Sequence, residues 1–276
     1  MWLPWPAVDQ AGAAVAARLV EDLGYAALWV GGGGSDARAV SRLRRALEAT
    51  SSLVVATGIA GVWDRPPAGM AEAAAEIDRA RPGGFLLGLG VSHPPLVERS
   101  GQVYDHPYAR MVRCLDELDG LAEAGGRART PRVLAALGPR MLRLARDRAL
   151  GAHPYFVPVS HTERARAEFG PGPVLAPEVA VVVDPDPATA RAAARGYAAI
   201  YLQLDNYTRN LRRLGYGGGS DRLIDDVVAW GDEEAVAARV RAHLAAGADH
   251  VAVQPIAGDG DGVDVLRRLA PVLAGL

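Results

Sequence analysis

Apolar residues along the chain fall into short unbroken runs, and the segments between them carry apolar positions three and four apart. Leu53–Gly61 reads LVVATGIAG and Gly84–His93 reads GFLLGLGVSH. A strand buried on both faces needs such a run rather than alternation. Between the two, Ala68–Gly84 (AGMAEAAAEIDRARPGG) has helical spacing and a Pro–Gly stop. The pattern predicts a strand–helix–strand unit of a parallel sheet. Glycines at the carboxyl ends of its strands mark places where the backbone turns tightly or a ligand comes close.

The alternation continues along the chain. A helix over Val8–Leu23 leads to a strand at Ala26–Val30 and a helix around Asp36–Ala49. After Leu53–Ala60 and Phe85–Gly90 come a helix through Met111–Ala124, a strand at Arg132–Leu137 and a helix opening at Gly138. Strands at Ala152–Val157, Val179–Val183 and His250–Pro255 complete the series, each with a helical segment beside it. Seven strands in this order predict an α/β fold, a (β/α)8 TIM barrel, as one domain over residues 1–276. Only Met1–Pro4 is available for the eighth strand, which belongs at the start, so a shortened first strand is expected; an open doubly wound sheet is the alternative. Leu202–Gly231, with GGGS at Gly217–Ser220, is longer than an ordinary connection and is expected as an insertion or lid between strands seven and eight.

Bulk properties remove whole classes of function. A chain of 276 residues, half of them hydrophobic, can bury a full core. A net charge of −2 argues against nucleic acid or an anionic membrane as partner. All 30 cationic side chains are arginine, which excludes a Schiff-base lysine and a phosphate-loop lysine. The single cysteine, Cys114, lies on a helical apolar stripe with Met111, Leu115, Leu118 and Leu121 and is expected in the core. The amino terminus lacks the features of a secretion signal, and no apolar run is long enough to span a bilayer, so a cytoplasmic location is expected.

Barrel enzymes work at the carboxyl ends of their strands. Here that rim comprises Gly31–Gly34, Gly58–Asp64, Gly90–His93, Gly138–Arg140, Val157–His161 and Gln254–Pro255. It is rich in glycine and poor in charge. It has no HExxH, no clustered carboxylates and no Cys/His set with metal spacing, so no metal is expected. Exposed backbone N–H groups suit a flat polycyclic cofactor with a phosphate tail. Gly138, directly before a helix, makes an anion site to which Arg140 adds a charged hydrogen bond. His93 is the histidine best placed for proton transfer. His153 reads as a core residue, and His161 as a helix-start residue that either reaches the site or caps the helix. His106, His243 and His250 read as surface or bottom-face residues. Trp63 is either a stacking platform or a loop plug.

Six segments in order carry a resemblance: VEDLGY at Val20–Tyr25, ALWVG at Ala27–Gly31, VVATGIAGVW at Val54–Trp63, PGGFLLGLGVSH at Pro82–His93, VLAALGPRMLRLA at Val133–Ala145, and Trp230–Gln254. Together they resemble the bacterial-luciferase-like monooxygenase superfamily, specifically its deazaflavin (coenzyme F420) dependent oxidoreductase branch. The resemblance implies a TIM-barrel-type fold and hydride transfer at C5 of the deazaflavin to or from a small organic substrate. It also implies a non-proline cis peptide at Gly58–Ile59 against the ring, with Gly90, Val91 and Ser92 bordering ring and tail. Gly138 and Pro139 would hold the phosphate, and relatives of this kind are commonly homodimers. Gly31 opens a GGGG stretch where some relatives place an acidic residue or histidine, which leaves His93 as the proton-donor candidate. An FMN-dependent monooxygenase of the same superfamily is the second reading, and a non-catalytic barrel subunit the third.

Overall fold

The computed structural model describes residues 1–4, 10–31, 37–126, 128–256 and 262–276. The chain divides into two compact units. The N-terminal unit holds Leu3–Ala135 and Asp147–Leu150, and the C-terminal unit holds Met1–Trp2, Ala136–Arg146 and Gly151–Leu276.

Strand and helix alternate through the N-terminal unit: β1 (Trp2–Pro4), α1 (Gln10–Asp22), β2 (Ala27–Gly31), α2 (Ala37–Glu48), β3 (Val54–Thr57), β4 (Ala60–Gly61), α3 (Pro67–Asp78), β5 (Phe85–Gly90), α4 (Pro94–Arg99), α5 (Pro107–Ala124) and β6 (Arg132–Leu134). The sheet runs β1-β2-β3-β5-β6, with β4 also on β5. Pairs β2–β3, β3–β5, β4–β5 and β5–β6 are parallel. All five residues of β2 and five of the six of β5 are buried, as an apolar run covered on both faces requires. Glu21, near the end of α1, accepts the N–H groups of Ser51 (2.9 Å), Ser52 (2.6 Å) and Leu53 (3.0 Å), and so sets where the chain turns into β3. Those hydrogen bonds, that from Ser52 foremost, hold its carboxyl down at about 2.

The C-terminal unit comprises α6 (Pro139–Arg148, whose last turn belongs to the other unit), β7 (Gly151–Ala152), α7 (Val159–Phe169), β8 (Val174–Leu175), β9 (Glu178–Val183), α8 (Pro187–Tyr201), α9 (Asp205–Arg213), α10 (Asp221–Val227), β10 (Val228–Gly231), α11 (Glu233–Ala245), β11 (Ala252–Pro255) and α12 (Val263–Leu273). Strand β9 lies between β10 and β11, parallel to both. Its residues are buried up to Val182. Asp186, Ser220 and Asp232 cap α8, α10 and α11 by accepting N–H groups of the first turns.

Three expectations differ from the structure. The stretch 202–231 is not a bare connection: it holds α9, α10 and β10, whose VAWG pairs with Ala180–Val183. A four-residue apolar run beside the polar DRLIDD is too short for periodicity to separate from a loop. The strand expected at Ala152–Val157 stops after Ala152, because Phe156 takes a left-handed conformation (φ 56°). His243, expected at the surface or the bottom face, is buried (1% exposed) with Nδ1 2.8 Å from the Thr162 hydroxyl. Cys114 is buried, and burial pushes its thiol up to about 11.

One ion cluster ties the N-terminal unit together. Arg132 on β6 is 5% exposed, donates to the Arg148 carbonyl (2.9 Å) and forms an ion pair with Asp119 (2.8 Å). Arg148 donates to Asp119 (3.0 Å) and Asp116 (2.8 Å). Burial works to raise the Asp119 pKa, but hydrogen bonds from Arg148 and Arg132 prevail and hold it below the ordinary value. Removing one partner strands a buried guanidinium, so Asp119→Ala is expected to destabilise the fold by about 3–5 kcal/mol, read as a lowered denaturant midpoint with an unchanged m value.

Candidate functional site

The register between the third strand and β5 changes by one residue part-way along. Val55 faces Phe85 and Ala56 faces Leu86, but Ala60 faces Leu89 and Gly61 faces Gly90. Three residues, Thr57–Ile59, therefore oppose two, Leu87 and Gly88, which makes a bulge. The Gly58–Ile59 peptide within it is cis, the conformation the resemblance implies at this position.

Two close approaches hold the bulge. The buried Thr57 hydroxyl accepts the Gly88 N–H (2.8 Å) and donates to the Gly88 carbonyl (2.8 Å), taking the place of the interrupted ladder. A Cβ on Gly88 would lie 2.0 Å from the Thr57 carbonyl oxygen, so only glycine fits. Further along, a Cβ on Gly90 would lie 2.4 Å from Ile59 Cδ1. Ile59 thus occupies the space that glycine leaves.

Beyond β5, Val91, Ser92 and His93 are half-buried. The Val91 carbonyl accepts the Trp63 indole N–H (2.8 Å), and Ser92 is left-handed (φ 56°). His93 precedes α4, where its carbonyl accepts the N–H groups of Leu96 and Val97. Trp63 is 5% exposed, with the Arg110 guanidinium 4.0 Å from its ring centroid and Tyr104 at 5.4 Å. The ring buttresses Val91. Gly31 ends β2 and is buried, while Gly32–Gly34 lie outside the described residues.

In the C-terminal unit, Gly138 stands before α6 without a side chain to cap it, and Pro139 follows. Arg140 is exposed in the first turn, and an Arg213 nitrogen lies 2.9 Å from where a Gly138 Cβ would be. His161, 2% exposed, donates from Nε2 to the Leu137 carbonyl (2.9 Å) and so fixes the residue before Gly138. Burial lowers this imidazole to about 4 and keeps it neutral. Arg213 and His161 thus both stand beside the turn that leads from Leu137 through Gly138 into α6.

The same unit buries a carboxyl. Glu178, first residue of β9, is 1% exposed, and burial drives its pKa up to about 8. Its Oε2 accepts the Phe156 N–H (3.1 Å), and its Oε1 is 3.3 Å from the Tyr197 hydroxyl. A left-handed Phe costs roughly 1–2 kcal/mol. That bond to Glu178, and the stacking of the Phe156 ring on Tyr201 (5.1 Å), hold it there. Tyr155, Tyr197 and Tyr201 join their hydroxyls beside it. Among the described residues, no group of three or more His, Cys, Asp or Glu is placed to hold a metal ion, and no helix is long and apolar enough to cross a membrane.

A family model for luciferase-like monooxygenases matches residues 9–250. The chain belongs to the luciferase-like monooxygenase family. Solved structures agree on the fold. An F420-dependent secondary alcohol dehydrogenase, in complex with an F420–acetone adduct, superposes with a TM-score of 0.76 at 17% identity over 99% of this chain and 97% of that one. A coenzyme F420 dependent tetrahydromethanopterin reductase from Methanopyrus kandleri gives 0.74 at 16% identity over 98% of each. The oxygenating constituent of 3,6-diketocamphane monooxygenase from Pseudomonas putida, a type II Baeyer-Villiger enzyme in complex with FMN, gives 0.70 at 14% identity over 96% and 91%. In sequence, no curated protein matches the chain. At these identities the likeness shows the fold: α/β with a mostly parallel sheet, shared with luciferase-like TIM-barrel structures.

Sequence reasoning about this luciferase-like chain had no route to Thr57, Glu178 or Arg213. A threonine within an apolar run and an acid beside a strand look ordinary until pairing and burial are known. Thr57→Val leaves both backbone groups of Gly88 buried without partners, so a loss of about 2–4 kcal/mol is expected in chemical denaturation. The buried groups also set a pH optimum. Burial lowers His153 and His161 to about 4 and His243 to about 3, so their stability is present above pH 6.5 and lost as pH falls through those values. Glu178, raised to about 8, contributes stability that is full below pH 4.5 and lost as pH rises through 8. The denaturation midpoint should peak between about pH 5 and 7, and Glu178→Gln should flatten its alkaline limb.

Proposed function

We propose that this luciferase-like chain is an oxidoreductase that binds a deazaflavin, coenzyme F420, and moves a hydride between it and a small organic substrate. The backbone-built rim carries the reading. Gly90 admits Ile59, and Gly138 admits Arg213, at distances no Cβ would allow. A flat ring system and a phosphate tail are the two chemistries those features suit. When bound, the deazaflavin supplies or accepts a hydride at C5.

The chain's own residues bind and orient. Gly31, Gly58, Ile59, Gly90, Val91 and Ser92 would border the ring, with Trp63 stiffening Val91. Gly138, Pro139 and Arg140 would hold the phosphate. Pro139 lacks an N–H, so the donors of that turn come from the residues after it, and Arg213 adds charge. His93 is the candidate for holding or moving a proton at the substrate. We read residues 1–276 as one barrel with a shortened first strand and an added segment at 202–231, active as a cytoplasmic homodimer.

An FMN-dependent monooxygenase is the second reading, favoured by the FMN-bound neighbour. Titrating the purified protein with F420, and then competing with FMN, separates the two. Saturable quenching or enhancement of deazaflavin fluorescence at micromolar concentration is expected; tighter binding of FMN would transfer the assignment to it. Arg213→Ala should weaken cofactor binding by about 1.5–3 kcal/mol, the worth of a charged hydrogen bond, and should reduce the salt dependence of binding.

A further inference from the structure

We propose that Glu178, Tyr197 and Tyr155 form a proton relay that opens at the Tyr201 hydroxyl, where it serves the oxygen of an uncharged alcohol or carbonyl ligand. All four residues lie in the C-terminal unit. The Tyr197 hydroxyl stands 3.3 Å from Glu178 Oε1 and 3.1 Å from the Tyr155 hydroxyl. The Tyr155 hydroxyl stands 2.8 Å from that of Tyr201 and 2.6 Å from Gln254 Oε1.

Counting protons gives the chain a direction. Each phenol has one proton to donate, and a carboxamide oxygen only accepts. At 2.6 Å, Tyr155 therefore donates to Gln254, and its own oxygen accepts from Tyr201 and Tyr197. With the Tyr197 proton committed to Tyr155, the contact between Tyr197 and Glu178 is a hydrogen bond only if the carboxyl carries a proton and donates it. When Glu178 is ionised, Tyr197 turns to it and lets go of Tyr155. The same atoms hold two proton arrangements that differ in the charge of Glu178.

Transfer outward breaks the Glu178 O–H bond and forms one at Tyr197. The Tyr197 proton passes to Tyr155, the Tyr155 proton turns from Gln254 to Tyr201, and the Tyr201 proton forms an O–H bond on the ligand. Glu178 is left as carboxylate, the ligand oxygen gains one proton, and no electron moves. The reverse steps deprotonate an alcohol. Tyr197 and Glu178 are buried, whereas Tyr155 and Tyr201 are partly exposed, so the chain of hydroxyls runs from buried residues to partly exposed ones. Tyr155 and Phe156 before α7, Tyr197 and Tyr201 on α8, Tyr207 on α9 and Gln254 on β11 face the carboxyl or its relay; of these only the phenols titrate. The rings of Phe156 and Tyr207 pack on that of Tyr201, their centroids 5.1 and 5.4 Å away. A discharged relay bears negative charge, so an uncharged oxygen compound fits and a carboxylate does not. The proposal rests on the oxidoreductase reading only for what befalls the ligand's carbon.

The test needs no cofactor, so it stands or falls apart from the deazaflavin assignment. In a pH-jump experiment, the infrared carbonyl band of the protonated Glu178 side chain, assigned by its loss in Glu178→Gln, reports ionisation of the carboxyl. Tyr155→Phe should retain the band but slow its decay by about tenfold or more, since a gap in the chain raises the barrier by at least one hydrogen bond. Tyr197→Phe should do the same. Cyclohexanone added to the wild-type protein should show a second carbonyl band at lower wavenumber, absent in Tyr201→Phe. An unchanged decay in both relay variants overturns the relay, and a cyclohexanone band that is missing in the wild type or persists in Tyr201→Phe overturns the ligand site.

Discussion

The N-terminal unit depends on a single side chain doing the work of a backbone. Where the third strand gains one residue over β5, the ladder between them has nothing to pair with, and Thr57 supplies both missing partners to Gly88. Glycine at 88 lets the strands come close enough for that, and glycine at 90 gives Ile59 a place to go. The bulge therefore stands in a well-paired sheet without leaving buried polar groups unmet. Everything the rim presents after β4 and β5, from Trp63 to Ser92, takes its position from this register change.

The C-terminal unit solves a different problem, holding ionisable groups in an apolar core without paired charges. His153, His161 and His243 stay neutral, and each has a neighbouring oxygen within hydrogen-bond reach. Glu178 is held by an N–H and a phenol rather than by an arginine, so burial dominates its titration. Asp119 in the other unit shows the contrast, because the arginines around it outweigh burial. The two carboxyls differ in chemical use for that reason. Asp119 is held as an anion by its arginines and serves structure, whereas burial pushes the Glu178 carboxyl up to about 8.

Much of this was legible in the chain, for stated reasons. Unbroken apolar runs such as FLLGLG located β5 to the residue, because full burial on both faces leaves no other pattern open. VVATGIAG was read as one strand, and it is β3 and β4 either side of the bulge. Register is a property of two strands, and one strand's sequence does not carry it. Val228–Gly231 was hidden in a long polar stretch for a related reason, since its burial comes from pairing with β9. Of the candidate site, the glycines were visible because close approach leaves only one residue type possible. Arg213 and Glu178 were not, because residues brought together from 22 to 75 positions apart leave no local mark.

That asymmetry accounts for how little identity the fold requires. A luciferase-like fold is recovered at a TM-score of 0.76 with 17% identity. What such a sheet demands is apolar surface of suitable volume, which many residues supply, and glycine where two backbones or a backbone and a side chain nearly touch. Main-chain N–H groups at a rim ask nothing of the side chains that carry them. Chains sharing this frame are therefore free to diverge in the residues that hold and move protons. In this one Glu178 and the phenols of Tyr155, Tyr197 and Tyr201 are joined through hydroxyls no more than 3.3 Å from their neighbours.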